Sequence, residues 1–243
     1  MGRPRYRKSA MSGLFIVDKP KGWSSMDVVR TVRNSAGFVK TGHAGTLDPL
    51  ATGVIVCCIG KATRSVEAIM NMPKVYETTI DLSAFTNTDD GEGEREEVAV
   101  ETPPTEAAIR ELLPRFIGTI EQRPPLYSAV HVDVKRAYKM ARKGQEVEIP
   151  TREVQCDGIE LLDYTWPILK LRVACGRGFY VRSLARDVGQ ALETGGYLTE
   201  LVRTAVGPYT IEDAADEARM KQPISQFDLT DAPPPLARKV EEE

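Results

Sequence analysis

Residues 42–53 read Gly42-His43-Ala44-Gly45-Thr46-Leu47-Asp48-Pro49-Leu50-Ala51-Thr52-Gly53, and the apolar run Val54-Ile55-Val56-Cys57-Cys58-Ile59 follows at once. Glycine and Asp-Pro punctuate loops, and a short continuous apolar run bounded by such signals reads as a buried strand. The stretch is therefore a loop carrying one aspartate and one histidine, anchored on a rigid element. Such loops are where chemistry tends to sit, although the same residues also make an ordinary turn.

Upstream, Gly13-Leu14-Phe15-Ile16-Val17-Asp18-Lys19-Pro20 reads as a second buried strand ended by proline. After the turn Lys21-Gly22-Trp23, Ser24 or Ser25 caps a helix with Met26, Val29 and Val32 at helical spacing, and Gly37 stops it. Downstream, a short helix is predicted over 63–70 and a half-buried strand over 74–86. An acidic, solvent-exposed loop follows over 87–101, then a helix from Pro103 to Leu113 and a strand over 116–121. Residues 153–163 and 168–175 form a predicted hairpin that runs into Gly176-Arg177-Gly178-Phe179-Tyr180-Val181-Arg182 and a helix to Leu192. Lys135, Arg136, Lys139, Arg142 and Lys143 around Tyr138 read as a basic helix face over 135–143.

Composition narrows the class of function. Of 243 residues, 42% are hydrophobic and 28% charged, ordinary for a globular chain, and the net charge is -3. The charge is unevenly placed: residues 1–80 hold 12 Lys/Arg against 5 Asp/Glu, whereas residues 81–101 hold 8 Asp/Glu and one Arg. A basic N-terminal third fits a polyanion partner better than the total suggests. The four cysteines include the adjacent Cys57 and Cys58 inside an apolar run and make no C-x-x-C, which points to buried thiols in a reducing, cytoplasmic setting. No stretch approaches the roughly 20 apolar residues of a membrane span.

Chemistry is narrowed by elimination. His43 and His131 are the two histidines, and no cluster has metal-ligand spacing. There is no P-loop, and the Gly176–Val181 turn lacks the third glycine of a dinucleotide fingerprint. Glycosidase chemistry needs a carboxylate pair, and the loop offers one aspartate.

The stretch GHAGTLDPLATG resembles the catalytic-aspartate motif of the TruB family of pseudouridine synthases. Further blocks in order resemble the same family: GLFIVDKPKGWSS over 13–25, Lys74-Val75-Tyr76 as KxY, Thr86–Gly91 as a TxTxDxxG turn with Ser83 where glycine is usual, and Gln122–Ala129 as QxPPxxSA. Cys175, Gly178, Tyr180, Arg182, Ser183 and Leu184 match a third signature, and Leu201, Arg203 and Gly207 match an LxRxxxG tail. The likeness covers about residues 13–213. His131 and Val134 depart from the lysine and glycine usual after the proline block, and Val202 replaces the first of two arginines.

The resemblance implies an α+β pseudouridine synthase fold, a mixed, largely antiparallel sheet with flanking helices and an active site across it. A catalytic domain is expected over 13–220, between a basic tail (1–12) and a Pro/Glu-rich tail (221–243) that composition reads as disordered. The latter leaves no room for the C-terminal RNA-binding (PUA) domain of longer members. The implied activity is isomerisation of the tRNA T-loop uridine, uridine-55, to pseudouridine. By resemblance, Asp48 is the nucleophile, Arg182 its ion-pair partner, and Tyr76 the residue that stacks on uracil and serves proton transfer. Tyr180 and Leu201 line the base pocket, His43 fills the space the flipped base leaves, and Arg64 is a basic substrate contact. No cofactor, metal, guide RNA or membrane is expected, the partner is the tRNA T-arm, and a monomer is expected. The alternative is a non-catalytic RNA-binding or RNA-chaperone protein on the same fold.

Overall fold

The computed structural model describes residues 9–126, 131–132, 135–136 and 149–236. The chain forms two compact units, Met1–Lys74 with Val202–Glu243, and Val75–Leu201. Along the chain, the second unit is inserted into the first.

In the first unit β1 (Gly13–Lys19) is followed by α1 (Ser25–Ser35), the short β2 (Thr41–His43) and β3 (Thr52–Ile59). β1 runs antiparallel along the whole of β3, from Gly13 opposite Ile59 to Lys19 opposite Gly53. β2 pairs with the far end of the same strand, His43 lying opposite Cys57. Both faces of β3 are buried, as its unbroken apolar run predicts. Leu14, Ile16, Val54, Val56 and Cys58 share one core with Ala62, Ile69 and Val206. The predicted helix over 63–70 begins earlier, as a 3-10 turn (Gly60–Ser65) that leads into α2 (Val66–Met70).

α1 starts where the serines suggested, and the structure separates the two. Ser24 is the cap: its hydroxyl accepts from the Asp27 amide at 3.2 Å, and Asp27 accepts in return from the Ser24 amide at 3.0 Å. Met26, read as an inward position, is exposed, and the buried stripe is Ser25, Val28, Val29 and Val32.

In the second unit β4 (Lys74–Asp81), β5 (Ala84–Thr86), β6 (Arg95–Glu97), α3 (Glu106–Leu112) and β7 (Gly118–Gln122) follow one another. The 74–86 stretch is two strands because Asp81 turns the chain, accepting from the Ser83 amide at 2.8 Å. The acidic segment contains a strand: β6 pairs antiparallel with β5. β8 (His131–Val132) and β9 (Lys135–Arg136) form a small hairpin, so Lys135 and Arg136 are strand rather than helix. The rest of the predicted basic helix face, 137–143, lies outside the described residues. β10 (Arg152–Thr165) and β11 (Ile168–Cys175) form the predicted hairpin, with β7 on its outer edge and β4 beside β11. α4 (Val181–Ala191) and β12 (Tyr197–Val206) follow.

The end of β12 re-enters the first unit, where Val202 and Arg203 run parallel to Thr52 and Gly53 on the edge of β3 not taken by β1. β13 (Tyr209–Thr210) and α5 (Glu217–Met220) complete the described elements. A disordered tail from 221 is not what the structure shows through residue 236. Ile224 is buried, and Leu14 and Thr230 exchange two backbone hydrogen bonds at 2.7 and 2.9 Å. The physical reason is the outer edge of β1, which would otherwise present unpaired backbone groups. Ala215 and Thr230 cover it. Ser12 is likewise fixed, its amide donating to the Gln226 side chain at 2.9 Å, and residues 1–8 lie outside the described residues.

Candidate active site

The aspartate loop is held by three side chains buried beneath it. Ser25, at the first turn of α1, accepts from the Leu47 amide at 2.9 Å and donates to the Leu47 carbonyl at 3.0 Å. Both residues are buried, so the hydroxyl satisfies a donor and an acceptor that water cannot reach. Lys19 is fully enclosed, and its ammonium donates to the carbonyls of Pro20, Trp23 and Pro49 at 3.0, 2.7 and 3.3 Å. Arg203, 1% exposed, donates from Nε to the Val54 carbonyl at 2.7 Å and from Nη2 to the Gly45 carbonyl at 3.1 Å. Asp18 accepts from the Gly53 amide at 3.1 Å. Gly53 itself has φ +97°, and a Cβ there would sit 2.3 Å from the Arg203 carbonyl oxygen, so no other residue fits. Asp48 stands half-buried between these anchors, its own carbonyl accepting from the Ala51 amide at 3.1 Å.

The electrostatics follow from burial. Desolvation pushes the Lys19 ammonium down to about 8, with the Asp48 carboxylate opposing that shift and the Arg203 guanidinium adding to it. His43 is lowered from its ordinary value, first by burial and further by Arg203, against a hydrogen bond to the Gly45 backbone. Its neutral imidazole is thereby favoured at neutral pH. Arg64 lies on the 3-10 turn of this unit and is exposed. The 42–53 stretch is less loop than its glycines suggested: His43 ends β2 and Asp48 lies on the loop that joins β2 to β3, both in the first unit.

In the second unit the Gly176–Arg182 turn carries Tyr180 and Arg182 into α4. Arg182 is buried and donates from Nη1 to the Asp90 carboxylate and to the Thr88 carbonyl, each at 3.1 Å. Asp90 also accepts from the Thr88 hydroxyl at 2.6 Å and the Glu92 amide at 3.1 Å. One turn along α4, Arg186 pairs with Asp89 at 2.8 Å and with Asp187 at 2.9 Å. Burial raises the Asp89 and Asp187 carboxyls, with the Arg186 charge opposing in each case. Asp89 and Asp90, read as part of a solvent-exposed acidic loop, are buried ion-pair partners of α4. Burying a lone carboxylate is costly, so each is matched by a guanidinium.

Tyr180 is fixed at both backbone groups. Its amide donates to Gln122 Oε1 at 2.7 Å, and its carbonyl accepts from Gln122 Nε2 at 3.0 Å. Tyr76 on β4 and Leu201 on β12 are both half-buried. Lys19, Ser25, Arg203 and Asp90 belong to blocks quoted from the sequence, and Gln122 opens one, but none of them signalled its hydrogen-bonding partner. Arg152 was not singled out at all. Among the described residues no helix is long and apolar enough to cross a membrane.

The first unit thus presents one aspartate on a loop held by buried side chains, and the second unit carries two ion-paired arginines at the start of α4. Residues 33–181 match the family model described as TruB family pseudouridylate synthase, N-terminal domain. A protein named tRNA pseudouridine synthase B from Bacteroides thetaiotaomicron is 44% identical over 222 residues, 87% of this chain and 92% of that one. The protein of the same name from Thermobifida fusca is 45% identical over 228 residues, 90% of this chain and 78% of that one. Among solved structures, one of a Cbf5-Nop10-Gar1 complex matches with a TM-score of 0.67 and 31% identity, over 85% of this chain and 52% of that one. A second, of an H/ACA RNP bound to a substrate RNA containing 2'-deoxyuridine, matches at 0.63 and 27%. The chain thus spans about half the length of these solved relatives. The chain belongs to the TruB family of pseudouridylate synthases, with its α+β fold.

Proposed function

We propose that this tRNA pseudouridine synthase isomerises the T-loop uridine, uridine-55, with Asp48 as nucleophile. The alternative of a non-catalytic RNA-binding protein is not favoured, because the relatives at 44–45% identity carry the name of a synthase. The observation that carries the catalytic reading is the loop itself. Three buried side chains and a constrained glycine hold the backbone around a half-buried aspartate, an investment of polar burial that an ordinary turn does not require.

The reaction breaks the uridine N1–C1′ bond, turns the base and rejoins it through C5, with no net redox change and no external energy source. A carboxylate nucleophile divides this into two easier steps through a covalent adduct, on either the sugar or the base. The protein's contribution is the placement of that carboxylate. The family likeness assigns Arg182 the orientation of that carboxylate, for which a planar guanidinium is suited. It assigns Tyr76 the stack on uracil and the proton transfer. Tyr180 and Leu201 line the base, and Arg64 meets the phosphates. The uridine must leave its stack to react, and a neutral His43 imidazole suits the space it vacates. This chemistry calls for no cofactor, metal or guide RNA, and the protein acts as a monomer.

Purified protein incubated with unmodified tRNA, followed by chemical mapping of pseudouridine, tests the proposal. A single new pseudouridine in the T-loop is expected. Modification elsewhere only, or none, overturns the assignment of target.

A further inference from the structure

We infer that Arg152 is a positioning residue of the reaction, a guanidinium plate that sets the plane of the Tyr180 ring. This rests on the reading that Tyr180 lines the base pocket. Arg152 opens β10, and its Nη2 donates to the Gly178 carbonyl at 2.6 Å. Its guanidinium carbon lies 5.0 Å from the centre of the Tyr180 ring, within cation–π range. Gly178 has φ +90°, a backbone conformation that favours glycine, and a Cβ there would lie in ordinary contact with Arg152 Nη2, at 3.7 Å. Gln122 already fixes the Tyr180 amide and carbonyl, so rotation of the side chain is the freedom left. Arg152 restrains that rotation from one face of the ring. Among the described residues it makes no ion pair, so its charge is directed at the ring and the Gly178 carbonyl.

Single-turnover rates on unmodified tRNA, RNA affinity by filter binding and thermal midpoints test the role. Arg152→Met should slow the chemical step about three- to thirtyfold, the range of a cation–π contact expressed at the transition state, with affinity changed less than twofold. Arg152→Lys keeps the charge but not the planar fork and should fall between. In a Tyr180→Ala background, Arg152→Met should cost nothing further, because its target is gone. Independent, multiplicative losses in that double variant overturn the proposal, as does a loss confined to affinity, which would make Arg152 a phosphate contact. If Arg152→Met melts far below the parent, Arg152→Lys with and without Tyr180→Ala carries the same comparison. Turnover by Asp48→Asn, by contrast, would overturn the parent reading of the site and leave the Arg152–Tyr180 coupling to be judged on its own.

Discussion

Ser24 and Ser25 are adjacent in sequence and separable by experiment. Ser25→Ala removes a hydroxyl that both accepts from the Leu47 amide at 2.9 Å and donates to its carbonyl at 3.0 Å. Ser25 and Leu47 are 3% and 4% exposed, so water does not replace either bond. Leaving a buried donor and acceptor unpaired costs about 1–3 kcal/mol each, and partial relaxation brings the sum to about 2–4 kcal/mol. For a chain of this length each kcal/mol shifts the melting midpoint by roughly 2–4 °C, so a fall of about 5–15 °C is expected. Leu47 precedes Asp48, so the loosened backbone should also reduce kcat by about tenfold or more, one decade for each ~1.4 kcal/mol of lost placement, with tRNA affinity within threefold. Ser24→Ala loses only the helix cap, about 1 kcal/mol, and should leave kcat within twofold. Thermal melts and single-turnover assays on the two variants decide the matter. If Ser25→Ala resembles Ser24→Ala in both, the hydroxyl does not hold the loop.

Asp48→Asn should abolish turnover while keeping tRNA affinity within a few-fold, because the amide is nearly isosteric and a poor nucleophile; measurable pseudouridine from the pure variant would refute the assignment. His43→Ala should slow modification of an isolated T-arm hairpin about ten- to a hundredfold, since stacking on a base is worth roughly 1–3 kcal/mol, and an unchanged rate would return His43 to a structural role. Gly53→Ala should destabilise severely, read as lost soluble protein or a collapsed denaturation midpoint, because its Cβ would lie 2.3 Å from the Arg203 carbonyl oxygen. The folded-state pKa of Lys19, about 8, is below its ordinary value. Above about pH 8 the folded protein releases this proton while the unfolded chain keeps it, so the stability of wild type relative to Lys19→Met should rise with pH. A difference that is flat from pH 7 to 10 would contradict the burial of that charge.

Where local chemistry decides, the sequence sufficed. The apolar run 54–59 had to be a strand buried on both faces, and the capping serine and Gly37 had to bound a helix. The hairpin of 153–163 with 168–175 and the glycine-bounded aspartate loop were legible for the same reason. The order of these motifs fixed the family, and with it the α+β class. Partner choice was not legible, because it depends on which distant residues packing brings within hydrogen-bond reach. Asp89 and Asp90 looked like solvent charges in an acidic run, and only the arrival of α4 beside them makes them ion-pair partners of Arg186 and Arg182. Residues 221–236 looked too polar and proline-rich to be ordered, and in the structure Thr230 pairs with the open edge of β1, which the sequence could not show was theirs to cover. Nor could periodicity distinguish Ser24 from Ser25, or show that Lys19 and Arg203, far apart in the chain, would both be enclosed around the loop. The sequence by itself determined the buried strands of the first unit, the capped helix between them and the loop that carries the aspartate. The tertiary structure decided what holds that aspartate still, because buried hydrogen bonds are made between residues whose separation along the chain carries no local signal.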